Sequence, residues 1–560
     1  MPDDKKFGTD IFISQEDSKN AKNYDKVVVR ITKYPERGRN AEGKIIEILG
    51  KANQAGIDML SLIKEYDLPY GFPEEVLKEA RSISQEVDEK EIARREDFRT
   101  GYHIFTIDGE DAKDLDDAVC VRRGENGNYL LDVHIADVSH YVKDGSKLDR
   151  EAILRGTSIY MLDRVIPMLP VELSNGICSL NAGSDRLALS CLMEIDGDGK
   201  VVSSRIGKSV IRVTERMSYT AVHQILDNLD DVVVKRYEAY VADFKLMEEI
   251  AHILKERRLK EGYLNLDIPE SKIVLDENGV AVDVKPYETT FANEIIEQFM
   301  LTANETVAEK YYWLEAPFIY RVHEEPDYDK IKDTNKFLYS IGKKIKVSQN
   351  NIYPKAFSDV LDEIKGTEYE KVISTLILRT LKVARYEAEN KGHFGIASKY
   401  YCHFTSPIRR YPDLFIHRVI SNFEDYIKDG KLELVQEKAE EYARSSSERE
   451  KVATQVERDA EDIKKAEFMQ DKMGEEYEGI ISGITGFGMF VELPSTVEGL
   501  VKFEDFNMDE YFEYKEDLRM LVGARTGKTF KIGDKVKIRV AYANKLFRRI
   551  EFELIEDEDE

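Results

Sequence analysis

Apolar and polar positions change their spacing several times along this chain, and each change marks a different kind of element. Residues 1–50 carry short β-rich runs at Ile11–Ile13, Val27–Ile31 and Lys44–Ile48, punctuated by Pro35, Gly38 and Gly43. Three strands in so short a stretch make an incomplete small barrel, and the expectation is that the numbering begins inside a domain. Residues 51–100 are charged with helical tendency and are predicted as a connector. From about 101 strands dominate again. Ala118–Val121 and Tyr129–Val138 flank the turn Gly124–Asn128, a predicted hairpin, and Asp196–Gly199 joins a second pair. Between about 211 and 390 the helical period prevails. Val372, Ile373, Leu376, Ile377, Leu381 and Ala384 form one apolar stripe, which predicts a helix over 371–389. Residues 101–440 therefore make one large mixed α/β body. Residues 441–474 form a charged helical segment that closes it. Five predicted strands in 475–555 (Tyr477–Ile484, Met489–Leu493, Gly499–Val501, Lys535–Ala541 and Arg548–Leu554) suggest a closed barrel of the OB type. The fold class expected is a mixed α/β body flanked by all-β, OB-type barrels.

Composition narrows the function classes. The chain has 560 residues, enough for roughly three or four domains. Its 42% apolar and 34% charged residues are those of a soluble globular protein. No apolar run approaches the roughly 20 residues of a membrane span, and the polar start Met1–Lys6 offers no signal-peptide core. No membrane association and a cytoplasmic location are the default expectations. Cys120, Cys178, Cys191 and Cys402 contain no CxxC pair, so neither a disulfide framework nor a structural zinc site is supported. The net charge of −26 points away from simple non-specific binding to a polyanion, yet allows basic groups inside a channel and favours divalent cations. The acidic tail 556–560 adds to the imbalance and to no core.

The most informative segment is Thr106–Val119, where Asp108, Asp114, Asp116 and Asp117 crowd a loop that runs straight into an apolar strand. Carboxylates so placed repel one another unless a cation lies among them. Hard oxygen donors with no His or Cys beside them suit magnesium, or manganese, and two such ions clamp the attacking and leaving oxygens of a phosphodiester. Composition alone leaves a solvated acidic loop open. A calcium loop is also conceivable, although the central Gly and terminal Glu of an EF-hand are missing.

The same segment resembles the signature of the RNase II/RNase R (RNB) exoribonuclease family, in which one aspartate is followed six, eight and nine residues later by three more. A second segment matches as closely: His403–Leu414, then His417-Arg418. A third, Ile159-Tyr160-Met161 leading to Ile166–Pro170 and Cys178-Ser179-Leu180, also agrees. The RNase R branch is nearer than the RNase II branch, through Phe404–Asp413 and Ile107–Ala112. The resemblance implies an RNB catalytic domain over 101–440, a partial cold-shock domain over 1–50 and an S1 RNA-binding domain over 475–555. It implies a processive, hydrolytic 3′-to-5′ exoribonuclease that releases nucleoside 5′-monophosphates and needs no NTP. The implied partners are single-stranded RNA and structured RNA with a 3′ overhang, and a monomer is expected. Members usually carry two complete cold-shock barrels and often a basic tail; here there is part of one barrel and an acidic end.

Roles follow position by position. Asp108, Asp114, Asp116 and Asp117 are the metal ligands and catalytic carboxylates. Arg409, at a predicted helix start, matches the arginine that contacts the phosphate near the cleaved bond; a guanidinium forks onto phosphate oxygens where a lysine cannot. Without the motif, an ion pair at the helix start is an equal reading. Arg410 is placed among the RNA-binding residues. Tyr160, in isolation an ordinary core tyrosine, matches one that stacks near the 3′-terminal nucleotide. Phe318 is a further base-clamping residue by the same likeness. Glu457 matches a position near the active site and is otherwise a helix-surface charge. Gly486–Val491 and Glu498–Val501 resemble the S1 domain, where Phe487 and Phe490 offer stacking faces, one of them expected to fill the core. Lys535, Lys537, Arg539, Lys545, Arg548 and Arg549 supply local positive charge. Gly523–Thr529 resembles a phosphate loop, but it lacks one residue and precedes a strand, so no NTPase is predicted. The alternative from another class is a non-catalytic RNA-binding protein with an inert body. Length of labelled RNA with magnesium, then with EDTA, separates the two.

Overall fold

A computed structural model describes all residues except 1, 4–8, 37–38, 267, 350, 368, 507–510, 517–518 and 556–560. The predicted acidic tail lies outside the described residues. The centre of the molecule is a seven-stranded sheet. In spatial order its strands are Glu215–Ser218, Phe105–Asp108, Asp117–Arg123, Tyr129–Ala136, Asp185–Ile195, Val201–Arg212 and Glu96–Phe98. Both predicted hairpins lie in it, and only the two edge strands run parallel to their neighbours. Helices Val241–Glu261 and Phe291–Trp313 pack on this sheet. Val119, Val133, Leu189, Phe244, Ile295 and Phe299 are all buried in one core.

The apolar stripe at 371–389 is broken where the sequence suggests continuity. The helix is Glu370–Thr380, Leu381 is already extended, and Arg385–Glu387 forms a strand paired with Tyr320–Val322. Val372, Ile373, Leu376 and Ile377 bury as expected, in a second core shared with the C-terminal barrel. The helix predicted over 441–474 begins earlier. Leu432–Gln470 is one helix of 39 residues, so the 440/441 boundary falls inside a single element.

At the N-terminus the three predicted strands form one small sheet, followed by helix Ile57–Glu65. All five predicted C-terminal strands form a closed barrel. A three-stranded sheet over Phe512–Lys531 interrupts it and was not foreseen. The turn after Gly523 joins two of these strands, Met520–Gly523 and Thr529–Lys531, which disposes of the apparent phosphate loop. Among the described residues no helix is long and apolar enough to cross a membrane.

Candidate active site

Asp108 ends one strand and Asp117 opens the next, so the pairing of Phe105–Asp108 with Asp117–Arg123 fixes both ends of the aspartate loop. The loop between them is anchored by side chains. Leu115 is buried, and its N–H donates to Ser179 Oγ (3.1 Å) while its carbonyl accepts from Leu180 N (3.0 Å). Ser179 Oγ donates to the Lys113 carbonyl (2.8 Å), and Ala136 N donates to the Asp116 carbonyl (2.9 Å). Arg216, on the edge strand, donates to the carbonyls of Glu110 (2.8 Å) and Ala112 (2.6 Å). The Cys178-Ser179-Leu180 motif therefore clamps the loop.

The second motif meets the first. Ile408 N donates to Asp116 Oδ1 (2.8 Å), and Arg409 Nε lies 3.9 Å from Asp116 Oδ2. Arg409 Nη2 donates to Ser406 Oγ (3.1 Å), leaving much of its guanidinium open to the cavity. Asn304 secures the approach to this turn, accepting from Phe404 N (2.8 Å) and donating to Tyr401 Oη (3.3 Å). The turn leads into helix Tyr411–Lys428, which has Pro412 in its first turn and is closed by Gly430 at φ +66°. Arg410 does something different from Arg409. It forks onto Asp413 at 2.7 and 3.0 Å, the helix-start ion pair, and forms part of the cavity wall.

Gly156, at φ +70°, turns the chain where a Cβ would come within 2.8 Å of Arg449 Cβ on the long helix. Beyond it Ser158 N and Thr157 Oγ1 both donate to the Arg409 carbonyl, at 2.9 and 3.1 Å. Tyr160 then reaches the aspartates. Its hydroxyl donates to Asp114 Oδ2 (2.9 Å), and its backbone N–H donates to Glu457 Oε1 (2.9 Å). Glu457 thus holds Tyr160, and the tyrosine ring stays partly exposed.

All four aspartates, Arg409, Arg410, Tyr219, Glu297, Asn304 and Tyr401 border one cavity of about 300 Å³. Burial raises the carboxyls: Asp108 to about 6 and Asp117 to about 8, the latter also repelled by Asp108 and eased by Arg409 and Arg410. Asp116 is raised well above the carboxylate range by burial, against the pull of Arg409. Asp108 Oδ2 and Asp116 Oδ2 are buried without a hydrogen-bond partner. Buried carboxylate oxygens left unmatched are costly, and a cation is the group that satisfies them. Among the described residues no three His, Cys, Asp or Glu side chains form a ready-made metal cage.

Three expectations need correction. Phe318 is fully buried and stacks parallel to Tyr311 with centroids 5.3 Å apart, so it is a core residue without a face for a base. Neither S1 phenylalanine fills the core: Phe487 is 61% exposed and Phe490 is partly exposed, in an edge-to-face pair. The positive charge expected on that barrel is largely committed to ion pairs. Arg539 pairs with Glu476, Lys545 with Glu467, Arg548 with Glu65 and Asp459, and Arg549 with Glu551. Sequence reasoning also assigned no role to Ser179, Arg216 or Asn304. Asn304 carried a signal, a polar residue among the buried positions Phe299, Ala303 and Val307 of one helix.

Family models match in the same order as these elements: an RNB domain over 95–425, a cold shock domain over 1–73 and an S1 RNA binding domain over 470–554. The RNB match spans more than half of the chain. This chain belongs to the RNB exoribonuclease family. Ribonuclease R 1 of Lactococcus lactis is 46% identical over 95% of this chain and 65% of that protein. Ribonuclease R of Thermotoga maritima is 44% identical over 100% of this chain and 79% of its own length. Ribonuclease R of Mycoplasma genitalium, solved with ribose-methylated single-stranded RNA, superposes with a TM-score of 0.92 at 28% identity, covering 99% of this chain and 86% of that one. The Mycoplasma protein has also been solved with double-stranded RNA.

Proposed function

We propose that this RNB-family chain hydrolyses RNA processively from its 3′ end, releasing nucleoside 5′-monophosphates, with Asp108, Asp114, Asp116 and Asp117 holding magnesium at the floor of the cavity. The observation that carries this reading is the pair of unmatched carboxylate oxygens on Asp108 and Asp116, in one cavity with the open guanidinium of Arg409. When bound, a divalent cation supplies the charge that offsets these carboxylates and polarises the phosphodiester. Arg409 takes the phosphate oxygens as charge builds on them, its carbonyl pinned by Thr157 and Ser158 and its neighbour Ile408 tied to Asp116. Tyr160, held by Glu457, presents its ring to the terminal base, and its hydroxyl fixes Asp114. Phe487 and Phe490 offer stacking faces to RNA further from the cavity.

Double-stranded RNA on the Mycoplasma relative supports extending the substrate to structured RNA with a 3′ overhang. A cytoplasmic monomer completes the proposal. The test is single-turnover cleavage by Asp116→Asn alongside RNA binding by the same variant. Retained binding with cleavage nearly abolished is expected; near-normal cleavage would overturn the assignment.

A further inference from the structure

A second polar cavity, of about 110 Å³, shares no lining residue with the first and is bordered in part by Arg418, Ser421 and Asn422 of helix Tyr411–Lys428. Arg95, Lys143, Lys208 and Arg418 border it together with His140, Ser421 and Asn422, and the acids there are Asp137 and Asp144. The acids already have partners. Asp137 pairs with Arg95 at 2.8 Å, Asp144 with Lys438 at 2.7 Å, and Asp149, behind the wall, with Arg418 at 2.5 Å. Glu91 pairs with Arg94 at 3.3 Å and lies 3.7 Å from Arg95 Nε and 3.8 Å from His140 Nδ1. Neither Lys143 nor Lys208 has an ion pair within 4 Å among the described residues, so the mouth keeps two positive charges close to one another.

The floor carries unmet hydrogen-bonding capacity as well. Ser421 Oγ is buried without a hydrogen-bond partner, while Arg95 Nε lies 3.7 Å from Glu91 Oε2 on a side chain only 1% exposed. His140 Nδ1 accepts from Arg95 Nη2 at 3.4 Å, which leaves its other ring nitrogen as a donor. An unmatched hydroxyl beside a small cavity with surplus positive charge calls for an acceptor-rich anion. The volume suits one tetrahedral group and is too small for a whole nucleotide.

We propose that this cavity binds a phosphate-type oxyanion, either free phosphate or the terminal phosphate of a nucleotide whose remainder stays outside. Lys143 and Lys208 close over it from the rim, while Ser421 and His140 donate from within. Occupancy would brace the corner at Ala136-Asp137, where Ala136 N holds the Asp116 carbonyl, against the helix that begins beside Arg409.

Calorimetric titration of Asp116→Asn protein in EDTA with inorganic phosphate, at ionic strength matched with chloride, keeps cleavage and metal out of the measurement. Saturable binding near one per chain is expected, weakened about tenfold or more in a Lys143→Met/Lys208→Met double variant. That variant, made in the wild-type background, should still shorten RNA at the normal rate, because both lysines are exposed and neither borders the aspartate cavity. Nucleoside monophosphate is the second arm: binding shows that a terminal phosphate enters, and failure restricts the site to free phosphate. Unchanged phosphate affinity in the double variant would overturn the proposal. So would competition by an RNA lacking terminal phosphates, which would place backbone phosphate there instead.

Discussion

Replacing Asp117 by Asn should make the metal-free protein more stable while destroying its activity. In an unfolded chain this carboxyl ionises near 3.8; in the folded protein burial and the neighbouring Asp108 hold it to about 8. Between those two values the unfolded state has lost the proton and the folded state keeps it. Stability therefore falls as pH rises through that window, by about 1.4 kcal/mol for each pH unit. From pH 5 to pH 7 the loss at this one position is on the order of 2–3 kcal/mol, and asparagine, which cannot ionise, avoids it. Scanning calorimetry in EDTA should show the Asp117→Asn midpoint above wild type, by about 2–4 °C at pH 7 and by less at pH 5. Magnesium should then raise the wild-type midpoint and leave the variant nearly unchanged, since only a cation-binding native state gains from the ion. A variant less stable than wild type at pH 7 in EDTA, or one that gains equally from magnesium, would refute the reasoning.

Three further substitutions bear on separate parts of the site. Arg409→Lys keeps the charge but not the fork, and should lower the single-turnover rate by about 3 kcal/mol of barrier, roughly a hundredfold, with little change in RNA affinity; a change confined to affinity would count against the role. Tyr160→Ala should lengthen the final product and weaken binding of short RNA by about 1–3 kcal/mol, whereas Tyr160→Phe keeps the ring and should keep the product length. Gel sizing of end products separates them, and identical lengths for all three proteins would exclude stacking at this position. Phe318→Ala should cost about 3–5 kcal/mol of stability with RNA affinity unchanged, and Phe487→Ala should do the reverse, as read by calorimetry and equilibrium binding.

Much of the site was legible because its chemistry is local. Four aspartates at a loop-to-strand junction, and an arginine before a proline-started helix, carry their signal within a dozen residues. The barrel strands were legible for a similar reason: alternating positions between turn residues suffice to place Tyr477–Ile484 or Lys535–Ala541. What was hidden depends on contacts distant along the chain. Phe318 lies in an aromatic-rich stretch that looks available, and only its packing on Tyr311 removes it from solvent. Lys545 and Arg548 look like an RNA-binding face, and only the folded chain brings Glu467, Asp459 and Glu65 to them. The stripe beyond Leu381 kept its spacing in sequence, but the segment Arg385–Glu387 pairs with Tyr320–Val322 and overrides helical preference. Ser179 was visible in its motif, yet its bond to the Lys113 carbonyl crosses 66 residues.

The central claim, that these carboxylates hold a cation which drives hydrolysis from the 3′ end, is tested most directly by one time course. RNA labelled at either end is incubated with the protein and magnesium, and again with EDTA. With magnesium, the 3′ label should leave first as nucleoside 5′-monophosphate, while 5′-labelled RNA passes to a short end product without accumulating intermediates. With EDTA both labels should stay in full-length RNA. Unabated shortening in EDTA, or release of the 5′ label first, would contradict the account.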